Sequence, residues 1–264
     1  MIVKNESAII RRLIDSVLPI IDSYCICDTG STDKTPEIIE SYFKLKGIPG
    51  KVVYEPFRDF GYNRSKALEH CNGLNNADFL LLMDADMVLQ IPDNFDVTAF
   101  KRRLTSADAH YVLQGTDSFY YKNIRLVKNK PGINYWGVTH EYMNLPNGTK
   151  YGFFNKGDIF IWDIGDGGSK ADKFERDIRL LKKGLEDIPN NDRYTFYLAN
   201  SLRDAGKTDE AIETYKKRIS LGGWIEEQWY SHYSLGKIYK QRNLMDKAVF
   251  HWLEAYSYNP NRIE

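Results

Sequence analysis

The sequence predicts an α/β domain built on a mostly parallel, doubly wound sheet, followed by an all-α domain of repeated helix pairs. Three observations predict it. Up to about residue 165, short β-type runs alternate with helical patterns, the order that builds a parallel sheet with helices on its faces. Beyond Lys170 nothing reads as a strand. Within that second stretch Ala211 and Ala248 lie 37 residues apart in matching frames, Leu198-Ala199, Leu202 and Tyr215 around the first and Leu235-Gly236, Tyr239 and Trp252 around the second.

Taken in order, Met1-Ile2-Val3 is all that is left for a strand ahead of the first helix. Following Asn5, the residues Ile9, Ile10, Leu13, Ile14 and Val17 form the apolar stripe of a helix laid on a core, and Pro19 stops it. Ile20 to Asp28 reads as a strand running into Asp28-Thr29-Gly30-Ser31. Thr35 then caps a helix with Pro36 at its first position and Ile38, Ile39, Tyr42 and Phe43 inward. Lys51 to Glu55 is a strand and Asn63 to Cys71 a helix. Phe79 to Met83 is a continuous apolar strand of the kind buried on both faces. Ala109 to Gln114, Ile124 to Lys128, Tyr135 to Asn144 and Asp158 to Ile164 are strand-like without clear helices between them, so mixed or antiparallel strands are expected to complete a cleft. In the second half, Lys173 to Asp187 carries Phe174, Ile178, Leu181 and Leu185 on one stripe, with Pro189 after it.

Composition narrows the function. Lys+Arg and Asp+Glu are both 36, so the net charge is zero and the field expected of a protein that coats nucleic acid or anionic membrane is missing. Hydrophobic residues at 42% and charged residues at 27% describe an ordinary globular chain. The longest apolar run, Phe79 to Met83, falls far short of the roughly 20 residues that span a bilayer. No apolar signal core opens the chain, so a cytosolic location is the expectation. Cys25, Cys27 and Cys71 suit neither a disulfide framework nor a zinc knuckle and read as reduced core thiols.

Ligands of a doubly wound sheet bind beyond the carboxyl ends of its strands. Asp28 lies at one such end, where Gly30 permits a tight turn into the next helix. Asp84-Ala85-Asp86, the single D-x-D of the sequence, follows directly on the apolar strand. Alternate residues leaving a strand point to one side, so both carboxylates can address one hard cation and its bound phosphates.

Four stretches in order, Met1-Ile2-Val3-Lys4-Asn5-Glu6, Asp28-Thr29-Gly30-Ser31-Thr32-Asp33, Phe60 to Leu68 with Asn63-Arg64, and Leu80-Leu81-Leu82-Met83-Asp84-Ala85-Asp86, resemble the motifs of family 2 glycosyltransferases with the GT-A fold, a Rossmann-like mostly parallel sheet. The resemblance implies a metal-dependent inverting enzyme that moves a sugar from a nucleoside-diphosphate sugar to an acceptor hydroxyl. It assigns Asp28 and Thr29 to the nucleotide base and ribose of the donor, Asp86 to a divalent metal (Mn2+ or Mg2+) on the diphosphate, and Asp84 to the ribose or the metal's waters. The chain departs from the family at its start, where the first strand is short.

A sugar leaves a nucleoside diphosphate as the phosphate oxygen takes up charge, which a divalent cation neutralises without donating a proton. Arg64 adds a fixed positive charge if it faces the cleft and is a solvated surface arginine if it does not. Inversion also needs a base for the acceptor proton. The candidate is Glu141, because Trp136-Gly137-Val138-Thr139-His140-Glu141 looks like the glycine-x-x-His-Glu segment of the enzymes in this group that carry a helical-repeat extension. In Ile161 to Lys170, Asp163 falls where related enzymes place a metal-side His and is an oxygen ligand for magnesium or manganese. Lys170 can reach a phosphate as a point charge after the glycines of that loop. A plain glycine turn joining two domains is the other reading of the segment.

The frames around Ala211 and Ala248 resemble the tetratricopeptide repeat, a helix pair of about 34 residues, with an insertion near Gly222-Gly223-Trp224. The expected domains are therefore residues 1–168, the glycosyltransferase, and 169–264, the helical repeats. The repeats offer a surface for a protein partner, and the acceptor class, glycan, lipid or protein, stays open. Two alternatives keep parts of this reading. A nucleotidyltransferase would use similar carboxylates, but Met1 to Ser7 lacks the glycine-rich phosphate loop it needs. A catalytically weak binding module acting through its repeats would be favoured by loss of Asp28 or Asp86, and both are present.

Overall fold

The computed structural model describes residues 1–72, 77–168 and 172–262. It divides into two compact units, Met1–Trp136 with Glu141–Ala171, and Gly137–His140 with Asp172–Glu264.

The first unit opens with β1 (Ile2–Val3), parallel to β2 (Tyr24–Asp28), which is parallel to β3 (Gly50–Tyr54). The first helix starts later than the stripe suggests. Asn5 adopts a left-handed φ of 57°, and the Glu6 carbonyl accepts from the amides of Ile9 and Ile10, so a turn precedes α1 (Ile10–Val17). Helix α2 (Thr35–Leu45) includes Thr35 as its first residue rather than its cap, because the Thr35 hydroxyl donates to Asp33 at 2.5 Å and accepts from the Glu6 amide at 2.7 Å. Helix α3 (Phe60–Cys71) starts three residues before Asn63, at the point where Asp59 accepts from the Tyr62 amide at 2.7 Å.

The parallel order holds within this first sheet. The next strand differs: β4 (Phe79–Leu81) ends sooner than its apolar run, is only half-buried, and pairs antiparallel with β7 (Tyr120–Lys128). The second sheet also holds β5 (Met87–Gln90), β6 (Ala109–Gly115), β10 (Tyr151–Phe154) and β11 (Phe160–Asp163), in the order β4-β7-β6-β11-β5 with β10 beside β6. Helix α4 (Val97–Leu104) follows β5. The expected strand from Tyr135 to Asn144 is a hairpin of two, β8 (Asn134–Trp136) and β9 (Tyr142–Asn144), with left-handed Gly137 and His140 in the turn. The core joins Ile10, Leu13 and Ile14 of α1 to Ile39 and Phe43 of α2 and to Met83, Met87, Phe100, Leu126 and Ile161. All three cysteines are buried free thiols.

The second unit is helical: α5 (Lys173–Asp187), α6 (Asp192–Asp204), α7 (Thr208–Ser220), α8 (Ile225–Gln241) and α9 (Met245–Tyr258). Ala211 and Ala248 are fully buried. A Cβ on Gly236 would lie 2.3 Å from Trp252 Nε1, so α8 and α9 cross where only glycine fits. Among the described residues no helix is long and apolar enough to cross a membrane.

Candidate active site

Asp28 ends β2 and is 2% exposed. Its Oδ1 accepts from the amides of Gly30 and Ser31 at 2.9 Å each, an arrangement that needs the left-handed φ of 110° at Gly30. Its Oδ2 is buried without a hydrogen-bond partner. A buried carboxylate oxygen left unpaired is costly, and a ligand donor would relieve that cost. The neighbouring Thr29 turns both its amide and its hydroxyl to the Val3 carbonyl, at 2.9 and 3.0 Å.

The stretch after β1 is laced to the turn after β2. The Asn5 amide donates to Ser31 Oγ and Asn5 Oδ1 accepts from the Thr32 amide, while the Ser7 amide and Thr35 donate to Asp33. Burial would raise the Asp33 carboxyl, but the bonds from Ser7 and Thr35 hold it down to about 2. Glu6 has the opposite fate. Burial raises its pKa, the Gly168 amide on Oε2 opposes the rise, and the carboxylates of Asp86, Asp33 and Asp166 add to it.

Asp84 and Asp86 follow β4. Arg64 from α3 reaches Asp84 Oδ1 with Nη2 at 2.7 Å and donates Nε–H to Glu141 Oε1 at 2.6 Å. Arg125 from β7 meets Asp84 Oδ2 at 3.4 Å, donates to the Leu82 carbonyl at 3.1 Å and to Gln114 Oε1 at 2.5 Å. Burial works against the Arg64 charge, yet Asp84 and Glu141 outweigh it and raise its pKa. For Asp84 burial acts upward, and Arg64 with Arg125 overcomes it to hold the carboxyl well below the usual range. So Arg64 is not a solvated surface residue: it ties the D-x-D to the segment after β8.

Asp86 lies against the glycine loop. The Ile164 amide donates to its carbonyl at 3.1 Å, and a Cβ on Gly167 would stand 3.2 Å from its Oδ2. Asp163 pairs with Met87 in the β11–β5 register, one residue beyond Asp86, so the chain brings both aspartates to neighbouring positions. Asp166 forms a two-pronged pair with Arg12 at 2.8 and 2.7 Å. Among the described residues no three His, Cys, Asp or Glu side chains converge to hold a metal. One or two carboxylates are nonetheless what magnesium or manganese takes from a protein when substrate phosphates and water complete its shell. Lys170 lies outside the described residues.

Sequence reasoning did not single out Arg125, Gln114, Arg12 or Glu6. The one signal for Arg125 was a charge set inside the apolar run Ile124 to Val127.

The sequence profile of glycosyl transferase family 2 matches residues 1–160. The chain belongs to that family. Its mixed α/β unit, which carries most of the matched residues, comes before the helices in the chain. The chain is 25% identical over 229 residues to the SPbeta prophage-derived glycosyltransferase SunS of Bacillus subtilis, covering 83% of this chain and 52% of that protein. A TPR repeat-containing protein of Synechococcus elongatus is 28% identical over 149 residues, 54% of this chain and 34% of that protein. The chain thus spans about half the length of SunS. Among solved structures, S. aureus TarS 1-349 in complex with UDP aligns over 100% of this chain and 92% of its own, with 13% identity and a TM-score of 0.48.

Proposed function

We propose that this chain is a metal-dependent, inverting glycosyltransferase that moves a sugar from a nucleoside-diphosphate donor to an acceptor hydroxyl, working in the cytosol. The observation that carries the reading is the Arg64 bridge. It joins Asp84, after β4, to Glu141, 77 residues further along the chain than the arginine, in one hydrogen-bonded cluster.

In this reading the nucleotide base or ribose donates to the unpaired Oδ2 of Asp28, with Thr29 contributing through its place in the same turn. Asp84, kept ionised by Arg64 and Arg125, orients the ribose side of the donor. Asp86, with Asp163 beside it, would hold Mn2+ or Mg2+, which when bound neutralises charge on the departing diphosphate. Lys170 adds a point charge to the phosphates. Glu141 takes the acceptor proton. The Arg64 N–H on Oε1 fixes that carboxylate, so Oε2 is the oxygen that receives it. The acceptor is a glycan, lipid or protein hydroxyl, and the helices from residue 169 onward bind a protein partner.

Calorimetric titration of UDP and of GDP, in manganese and in chelator, tests the donor half. Tight binding is expected in manganese alone, and Asp86→Asn should weaken it at least tenfold, because a neutral amide holds a hard cation poorly. Equal affinity in chelator and in manganese overturns the metal role.

A further inference from the structure

The turn that leads into Glu141 is held by the helices. The chain leaves the first unit after Trp136 and returns to it at Glu141, and the residues between, Gly137–His140, belong with Asp172–Glu264. Each of the last three has a partner there. The Val138 amide donates to the Tyr194 hydroxyl of α6 at 3.3 Å, and Val138 Cγ2 lies 3.2 Å from where a Cβ on Gly184 of α5 would stand, so the glycine lets α5 come close. Thr139, 5% exposed, sets its hydroxyl 3.5 Å from Oδ1 of Asp177 on α5, itself buried. His140 is held twice. Its ring lies flat on that of Tyr197, centroids 4.0 Å apart and planes within 8° of parallel, and its carbonyl accepts from Arg193 Nη2 at 2.8 Å. The Arg193 guanidinium in turn lies over the Tyr197 ring, 4.9 Å from its centroid.

Two features tie this anchor to Glu141. His140 takes a left-handed φ of 50°, a setting that a residue with a side chain keeps only where its surroundings hold it. The carbonyl that Arg193 grips also belongs to the peptide group joining His140 to Glu141. That group is planar, so fixing its oxygen fixes the direction in which the Glu141 backbone sets out. At the far end of the side chain, Arg64 Nε–H holds Glu141 Oε1 at 2.6 Å. Several rotatable bonds lie between, too many for a hold at one end to define where Oε2 sits.

We propose that Arg193 and Tyr197 of α6 are positioning residues for the transfer step. Through His140 they set the backbone of Glu141, so the helical unit helps to hold the base and is more than a surface for a partner. This rests on the reading of Glu141 as the base. A displacement of about 1 Å in a reacting group can cost on the order of 10²-fold in rate, so a loosened anchor is felt in turnover and not in donor binding.

The test compares Arg193→Ala, Tyr197→Leu and Tyr197→Phe with Glu141→Gln in the full chain, circular dichroism confirming that each is folded. Exchange of the Arg64 Nε proton with water, followed by nuclear magnetic resonance, reports the bond to Glu141 with no donor present. It should quicken at least about tenfold in Arg193→Ala and Tyr197→Leu, while Tyr197→Phe, which keeps the flat ring, restores the native rate. Hydrolysis of UDP-glucose and of GDP-mannose, with water standing in for the acceptor, should slow at least about tenfold in the same two variants, with donor affinity by calorimetry unchanged. Where neither donor turns over, the exchange alone decides. Native exchange in Arg193→Ala overturns the inference, and so does native turnover in that variant when Glu141→Gln is slow. Native turnover in Glu141→Gln is a different failure, since it removes the base on which the inference rests whatever Arg193→Ala does. Arg193 is only half-buried, so if Tyr197→Leu unfolds the helices, Arg193→Ala carries the test.

Discussion

Two arginines, one in each unit, show how differently the same side chain can be used. Arg64 draws its partners from afar, Asp84 from the segment after β4 and Glu141 from beyond β8, and its side chain keeps 18% exposure. Arg218 is wholly buried and draws mainly on what is near: Glu227 nine residues on, at 2.9 Å, and the carbonyls of Gly222 and Trp224 in the turn between α7 and α8, with Asp192 of α6 more distant at 3.7 Å. The second arginine replaces missing backbone partners at a helix end, a task of folding. The first assembles carboxylates that hydrophobic packing alone would keep apart, at a place a ligand can reach. An ion pair built from distant segments and left partly open is a better pointer to chemistry than burial or charge.

The sharpest way to break that contrast is Glu141→Gln. The amide keeps the shape and a hydrogen bond to Arg64 but cannot accept a full proton, so turnover should fall by about 10²- to 10⁴-fold with donor affinity nearly intact. Release of nucleoside diphosphate follows the rate and calorimetry the binding. Native turnover would remove Glu141 from the chemistry and leave Arg64 a structural tie like Arg218.

Arg218→Ala should act on folding instead. It strands the Glu227 carboxylate, whose pKa burial already raises against the pull of Arg218, and removing one member of a buried pair costs about 3 to 5 kcal/mol. Chemical denaturation followed by circular dichroism reads this. A loss of transferase activity without loss of stability would put the second unit's arginine in the same class as the first.

Asp28→Ala comes next, with nucleotide affinity falling by about 1 to 3 kcal/mol because the mutant lacks the unpaired oxygen that a base or ribose donor would meet. Unchanged affinity with lost activity would move Asp28 out of the nucleotide pocket.

Pattern reached some of this and not the rest. Asp28, the D-x-D and Glu141 could be singled out as candidates because each sits at a fixed place in a linear motif, and the helix Lys173–Asp187 was legible because its stripe is local. Arg125 and Gln114 were not, because their meaning depends on β7 lying beside both β4 and β6, a pairing between distant segments that periodicity does not encode. The break between the two sheets escaped for the same reason: an apolar run tells that a strand is buried, not which neighbour it has.

The last contrast between the units is one of acidity. In the second unit His232 and His251 face each other, Nδ1 to Nδ1 at 3.0 Å. Burial pushes both down to about 4, and at His251 the His232 and Lys216 neighbours add to the fall while Glu254 opposes it. The folded pair stays neutral while the unfolded chain takes up protons below about 6.5. Stability of this unit should therefore be full above about pH 6.5 and decline between there and about 4. Thermal unfolding at pH 7.5, 5.5 and 4.5 checks it, and replacing both histidines by phenylalanine should flatten the slope.

The place of β11 in the second sheet governs how the protein can be made. β11 lies between β6 and β5, so β5, complete at Gln90, has no partner until the chain has been extended to Asp163. At about 5 to 20 residues per second that is a wait of several seconds, during which Met87 to Gln90 offers an unpaired apolar edge to anything nearby. The helices that follow contact their immediate neighbours in sequence and can form as fast as they emerge. Yield in the cell should thus be limited by the first unit, and a pause in translation shortly before residue 160 should cost more soluble protein than one placed anywhere after it.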